Sequence, residues 1–178
     1  MVSAVRPMSL PLPLKRQRHE PCRRRHCLSK MNRLPRIRIR EFEIVDYEVV
    51  LRLWKDAGLI IRPGDDLNDI RLKLQRDPDL FLVATDGSEL VGCVMGGWDG
   101  RRGWIYHLAV KRSHQRQRVA KTLVGELETR LTRKGARKVN AQIYRSNTAS
   151  LQFFKACGYE AHSDLIMVGK LLGRQHST

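Results

Sequence analysis

The sequence is poor in aromatic residues, in paired cysteines and in long apolar runs, and each shortage excludes something. Phe, Trp and Tyr make up 6% of the chain, too few for a surface that stacks successive bases. Four cysteines (Cys22, Cys27, Cys93 and Cys157) stand at scattered spacing. That is no disulfide framework, and it points to a reducing compartment, the cytoplasm. No run approaches the ~20 apolar residues that span a bilayer, so no membrane partner is expected. Cys22-x3-His26-Cys27, with His19 upstream, matches no standard zinc spacing, and no metal site is expected. Acidic side chains are scarce too, 18 against 34 Lys and Arg, which leaves a formal charge of +16. Such an excess suits a phosphate-bearing partner and is silent on fold.

What is present fits one domain and a tail. The chain has 178 residues, 42% of them hydrophobic, enough for a real core. Residues 1–35 hold nine basic groups, one acid and five of the seven prolines, with no apolar periodicity. They read as a disordered basic tail rather than a signal peptide, because Pro7, Pro11 and Pro13 interrupt any apolar stretch. Residues 36–173 carry the domain, and residues 174–178 are a short C-terminal tail. Within the domain, residues 111–138 hold ten basic groups against two acids.

Periodicity orders the elements as β-α-α-β-β-β-α-β-α-β. Ile37 and Ile39 alternate with Arg38 and Arg40 in a half-buried strand over residues 36–44. Asp46 is the expected N-cap of a helix that shows Val50, Leu53, Trp54 and Ala57 on one face and stops at Gly58. Asp65 and Asp66 open a second helix, ended by Asp77-Pro78. Strands follow over residues 80–85 and 89–97, joined at Asp86-Gly87, and a third over residues 103–110. A long helix places Val119, Leu123, Leu127 and Leu131 at four-residue steps, with Glu126 and Arg130 paired on its outer face. A strand over residues 138–144, a helix over 147–157 and a strand over 165–171 complete the order, with a further short strand open at residues 159–162.

The segment LAVKRSHQRQRVAKTLVGELE, residues 108–128, carries the chemistry. A strand ends, a short loop crosses, and a helix opens at once, which leaves free backbone N–H groups facing an anion. Lys111, Arg112, Arg116, Arg118 and Lys121 surround that helix start, and the basic window is expected to converge there. The alternative is a solvated basic helix face.

This strand–loop–helix resembles the pyrophosphate loop of the GNAT superfamily of acetyl-coenzyme-A-dependent N-acetyltransferases, whose pattern is Gln/Arg-x-x-Gly-x-Gly/Ala. NTASLQFFKACGY, residues 147–159, resembles the family's asparagine-to-Gly-aromatic segment. LFLVATDGSELVGCVMGG, residues 80–97, is similar to the hairpin before the cofactor strand. The resemblance covers residues 37–172. It implies an α+β fold: a mixed, mostly antiparallel sheet flanked by about four helices, its fourth and fifth strands splayed to admit acetyl-coenzyme A. It also implies that Leu108, Ala109 and Val110 offer backbone groups to the pantetheine arm. Gln115, Arg116, Gln117, Arg118, Val119 and Ala120 would cradle the pyrophosphate, and Asn147 would contact the cofactor as well as cap its helix.

The chain departs from the family in two places. Arg116 and Arg118 stand where glycines are usual, and Phe154 stands where many members place a tyrosine that protonates the leaving thiolate. A thiol of pKa near ~8.5 is a fair leaving group without help. The fourth strand holds no carboxylate. With Leu108 as reference, alternation puts Trp104 and Tyr106 on the cleft face and His107 on the other. Tyr106 is the first candidate for contacting substrate or an ordered water, and His107 the second.

Together these features imply acetyl transfer to a primary amine: a small molecule, a peptide N-terminus or a lysine. The competing readings are a catalytically weak acyl-coenzyme-A-binding module and, weakest because aromatics are few, a nucleic-acid binder. Homodimerisation is left open. A chain beginning at Met31 is expected to melt at the same temperature as the full chain, since residues 1–35 show nothing that would pack. A drop of many degrees on truncation contradicts this.

Overall fold

The computed structural model describes residues 36–172. The tails expected over residues 1–35 and 174–178, with Cys22, His26 and Cys27, lie outside the described residues. Strand β1 (Ile37–Glu41) leads into helices α1 (Tyr47–Asp56) and α2 (Leu67–Arg76). Strands β2 (Phe81–Asp86), β3 (Glu89–Trp98) and β4 (Gly103–Val110) follow as a meander. Helix α3 (Val119–Arg133), strand β5 (Val139–Ala141) and helix α4 (Thr148–Ala156) complete the order. The five strands form one sheet in sequence order. β1 to β4 are antiparallel, and β4–β5 is parallel. The expected α+β architecture is present, flanked by four helices.

Alternation along the strands divides two cores. Leu82, Ala84, Val94 and Ile105 face α3, whose Val119, Leu123, Val124, Leu127 and Leu131 are all buried. Phe81, Val83, Cys93, Met95 and Ala109 face α1 and α2, where Trp54 and Ile70 are fully buried. Burying each large apolar side chain contributes about 1.5–3 kcal/mol, so α3 alone anchors one side of the sheet. Its approach is close because glycines form the floor. A Cβ at Gly92 would lie 3.1 Å from Leu123 Cδ1, at Gly96 2.5 Å from Leu127 Cδ1, and at Gly103 2.7 Å from Leu131 Cδ1.

Local signals held at most helix ends. Asp66 caps α2, accepting from the N–H groups of Asn68 and Asp69, both at 3.0 Å. Gly58 takes φ +75° after α1, and Gly87 takes φ +60° in the β2–β3 turn. Asp46 behaves differently from its expected role as the α1 cap. Its carboxylate accepts from the Glu43 N–H at 2.9 Å and from Arg40 at 2.6 and 2.8 Å, closing a 3-10 turn that precedes α1. Burial opposes ionisation of Asp46, but these donors outweigh it and hold its pKa below the usual value. Arg130 does pair with Glu126, at 2.9 Å, and also reaches Glu41 and the Asp79 carbonyl, so it ties α3 to the β1 edge.

Two expected strands are absent and one is short. Residues 159–162 and 165–171 form no strand, and Leu165, Ile166, Met167 and Val168 are each at least 70% exposed. Strand propensity is expressed only where a neighbour supplies a ladder. β5 spans three residues instead of seven, because its pairing with β4 stops at Ile105–Ala141. The basic window 111–138 also does not converge on one helix end. α3 is 15 residues long, which at ~1.5 Å per residue separates its termini by roughly 22 Å. Five of the ten cations precede or open the helix, and five close or follow it. Among the described residues no helix is long and apolar enough to cross a membrane.

The glycine floor predicts opposite outcomes for two substitutions. Gly96→Ala forces its methyl into Leu127 and should destabilise by about 1–3 kcal/mol. Gly125→Ala, in the interior of α3 with nothing within 4 Å, should stabilise by about 0.5–1 kcal/mol. Urea unfolding of both variants checks the sign; destabilisation by both would mean that α3 sits closer than its packing indicates.

Candidate active site

Beyond Ile105, β4 has no partner on its β5 side among the described residues, and residues 106–110 present an open strand edge. β4 also bulges there. Tyr106 pairs with Met95 and Ala109 with Cys93, so His107 and Leu108 together oppose Val94. His107 takes φ +47°, a conformation that costs a non-glycine residue about 1–2 kcal/mol. The bulge overturns the expected alternation. Leu108 packs against the α3-side core, whereas Tyr106 packs on the α1/α2 side and the His107 ring meets Trp54 at a tilt, 4.5 Å between centroids. Tyr106 and His107 therefore share a face, and Leu108 is on the other.

After β4 the chain makes a 3-10 turn, Arg112–His114, and then runs through Gln115 to Arg118 into α3. Gln115 Nε2 donates to the Val110 carbonyl at 3.2 Å, and Gln117 Nε2 to the Ser113 carbonyl at 2.9 Å. Those two bonds fold the loop back on its own strand. Arg116 and Arg118 take φ +60° and +65°, so both arginines hold the left-handed backbone that glycine would hold at these positions. The first helical bond of α3 runs from the Thr122 N–H to the Arg118 carbonyl at 2.9 Å. The N–H groups of Val119, Ala120 and Lys121 thus have no intrahelical acceptor, and no side chain caps them. Lys111 is paired with Glu89, but Arg112, Arg116, Arg118 and Lys121 form no salt bridge among the described residues. Orphan N–H groups, left-handed backbone and free cations make this loop fit a pyrophosphate.

Asn147 caps α4, its Oδ1 accepting from the Ser150 N–H at 3.0 Å. Phe154 is buried in the α3-side core, edge-on to Phe153 and Tyr159, and offers no acid. The Tyr159 hydroxyl donates to Glu128, and burial together with that carboxylate pushes its pKa upward. The Tyr144 hydroxyl accepts from Arg62. Burial pushes the Cys93 thiol up to about 12, with its sulfur 3.2 Å from Trp54 Nε1, so it packs rather than reacts.

On the α1/α2 face, Tyr106 borders a cavity of about 340 Å³ with Trp98, Asp99, Trp104, Lys73 and Arg76. Burial, then the Asp99 carboxylate, raises the Tyr106 phenol above its ordinary pKa, so it stays protonated at neutral pH. Its hydroxyl has no hydrogen-bond partner among the described residues. Asp99 is held down to about 2 by the Arg102 N–H, the Trp104 indole and the Arg101 N–H. Sequence reasoning missed Asp65. It is buried, accepts from the Arg62 N–H at 2.8 Å, and places Oδ1 3.1 Å from His107 Nε2. The only trace in the sequence was the doubled Asp65-Asp66, where one carboxylate suffices as a cap.

Comparison with known proteins agrees with this geometry. The profile of the Acetyltransferase (GNAT) family matches residues 40–159. The chain belongs to the GNAT acetyltransferase family. It is 37% identical over 134 residues to an acetyltransferase of Sodalis glossinidius, covering 75% of this chain and 94% of that one. An acetyltransferase of Yersinia pestis is 39% identical over the same span. Among solved structures, Ard1 from Thermoplasma volcanium superposes with a TM-score of 0.65 at 21% identity, covering 71% of this chain and 84% of that one. The PaiA N-acetyltransferase of Thermoplasma acidophilum, solved with coenzyme A, gives 0.64 at 20% identity, covering 71% and 91%. This GNAT protein is therefore an acyltransferase.

Arg118 offers a direct test of the loop. Replacement by glycine relieves about 1–2 kcal/mol of left-handed strain. It also removes a charge worth about 1.5–3 kcal/mol if that charge meets phosphate. With Arg116, Arg112 and Lys121 still unpaired, the charge is partly redundant, and screening weakens it at an exposed loop. Arg118→Gly should change coenzyme A affinity by no more than about threefold, since the remaining cations carry most of the charge and the strain, held with or without ligand, drops out of binding. Isothermal titration at two salt concentrations measures it. A tenfold loss that fades with salt would make Arg118 a true ligand.

Proposed function

We propose that the protein moves the acetyl group of acetyl-coenzyme A to a primary amine by direct attack in a ternary complex. One observation supports this most: the open edge of β4 leads straight into the loop of orphan N–H groups and unpaired cations at the start of α3. When bound, the donor supplies the thioester carbon that the amine attacks. The main-chain groups of Leu108, Ala109 and Val110 pair with the pantetheine arm as a strand would. The N–H groups from Gln115 to Ala120 hold the pyrophosphate, with Arg116 and Arg118 adding charge. Asn147 keeps its carboxamide nitrogen for the arm while its oxygen caps α4. The N–H groups on the β4 edge that β5 leaves unpaired are donors for negative charge developing at the carbonyl oxygen.

The acceptor enters from the α1/α2 face. An amine of pKa ~10.4 is less than about one part in a thousand neutral at pH 7, so a base speeds attack. His107 fills this role. With Nε2 3.1 Å from Asp65, a ring acting as base donates its Nε2–H to that carboxylate and accepts at Nδ1. Asp65 then stabilises the ring as it gains charge. Tyr106 contacts the acceptor through its free hydroxyl. The acceptor is a small-molecule amine, a peptide N-terminus or a lysine, and the free thiols of Cys93 and Cys157 support a cytoplasmic setting.

A second reading, a catalytically weak acyl-coenzyme-A-binding module, draws on the burial of Phe154 and the engagement of the Tyr159 hydroxyl by Glu128. Two measurements separate the readings. Acetyl-coenzyme A should raise the melting temperature, as any native-state ligand does, and an amine panel should show donor consumption. A melt shift with no turnover on any amine favours the binding module, and no shift at all removes both. In the active enzyme, His107→Gln should lower kcat by about 100-fold or more with the acetyl-coenzyme A KM unchanged. Tyr106→Phe should act chiefly on the amine KM. An unchanged kcat in His107→Gln would return that residue to packing.

A further inference from the structure

The second half of the basic window gathers at the far end of α3 from the pyrophosphate loop. Arg130 and Lys134 are spoken for there, by Glu41 and Glu126 and by Asp79. Beyond them, the β3–β4 turn and the α3–β5 connection enclose an open cleft of about 420 Å³, lined by Gly100, Arg101, Arg102, Gly135, Arg137 and Lys138. Arg101, Arg102 and Arg137 form no salt bridge among the described residues, and Lys138 meets only His162 Nε2, at 3.4 Å. The neighbouring carboxylate, Asp99, is occupied by the Arg101 and Arg102 N–H groups and by the Trp104 indole.

A helix dipole accounts for cations in the last turn of α3, such as Arg133. It does not account for this cleft, whose four cations come from a turn between strands and from the connection after the helix. Bringing together two segments more than 30 residues apart, all of one sign and unpaired, costs repulsion that an anion would remove. β4 is eight residues long, and at ~3.3 Å per residue its Gly103 end lies roughly 25 Å from the coenzyme A loop. One bound coenzyme A pyrophosphate cannot serve both places.

We propose that this cleft binds the phosphodiester backbone of a nucleic acid strand. Planar guanidinium groups match phosphate with two parallel hydrogen bonds, and a polymer that carries one phosphate per unit can meet several of these cations at once. Gly100 and Gly135 have open space where a Cβ would stand, so a polymer backbone can approach the floor. None of the six lining residues is aromatic. The contacts are therefore to phosphate rather than to bases, and binding is tolerant of sequence. The low aromatic content of the chain argues against base stacking and leaves phosphate contacts untouched. The site is independent of acetyl transfer and stands or falls apart from it.

Fluorescence anisotropy of a labelled oligouridine, titrated with the full chain across a salt series, tests the cleft. The double variant Arg101→Glu/Arg137→Glu is compared with Arg52→Glu/Lys55→Glu, which makes the same charge change on the exposed side of α1. The basic residues of 1–35 are common to all three proteins, so the difference between variants reports the cleft. The cleft variant should lose about tenfold or more in affinity, with a salt slope flatter by about 1.4, two phosphates at ~0.7 each. The α1 variant should lose less than about threefold, because screened charge outside the site acts weakly. Both should keep the acetyl-coenzyme A melt shift of the parent. If Arg101→Glu/Arg137→Glu does not fold, Arg101→Gln/Arg137→Gln is read in the same way. Equal losses in the two variants, or no binding by the parent, overturn the proposal. So does displacement of the probe by polyglutamate as readily as by unlabelled oligouridine, which would make the partner an acidic polypeptide.

Discussion

Leu123, Leu127 and Leu131 rest on a floor of Gly92, Gly96 and Gly103, and this contact places both charged ends of α3. A side chain at any of the three glycines would lift the helix and move the loop before it away from the end of β4. Because close-packed interiors do not deform smoothly, the helix has one seat. Its start, with its orphan N–H groups, then follows directly on the open edge of β4. Its end lies beside the β3–β4 turn, where Arg101 and Arg102 meet Arg137 and Lys138. One packing interface thus creates two electropositive places with separate surroundings.

The bulge at His107 and Leu108 is the second organising feature. It interrupts the β3–β4 ladder just past the point where β5 departs, before pairing resumes at Ala109, and it turns two successive side chains to opposite cores. Leu108 stays with α3, while His107 is delivered to Trp54 and Asp65 on the α1/α2 side. The strained φ of His107 is tolerated because the tilted Trp54 contact, the Asp65 carboxylate and the surrounding ladder all hold it. The α1–α2 connection is tied down by the same contacts. Asp65 binds the Arg62 N–H, Tyr47 donates to the Asp65 carbonyl at 3.0 Å, and Arg62 reaches Tyr144 across the mouth.

The arginines at 116 and 118 occupy left-handed backbone without the freedom of glycine. The strain is offset locally by Gln115 and Gln117, which brace the loop on carbonyls of Val110 and Ser113. In exchange the loop carries two guanidinium groups where a glycine loop would carry none. The left-handed backbone is kept, and charge is added to its rim.

Much of this was legible in the residues themselves. Short-range rules placed the Asp66 cap, the Gly58 stop, the Gly87 turn and the ends of β4 and α3, because each depends on a few neighbouring residues. The motif order pointed to the family and to the loop 115–120. Other features were not legible, for one physical reason: they depend on what lies opposite in space. Asp46 caps an earlier turn because Arg40 comes within reach of it. Residues 165–171 have the composition of a strand and form no ladder with any described neighbour. The basic window reads as one cluster along the chain, and 15 residues of helix divide it in two. Period-two alternation put His107 and Tyr106 on different faces, and a single bulged residue against Val94 brought them together. Local chemistry is written in the order of residues, whereas facing, pairing and the meeting of distant charges exist only once the sheet and α3 have closed on each other.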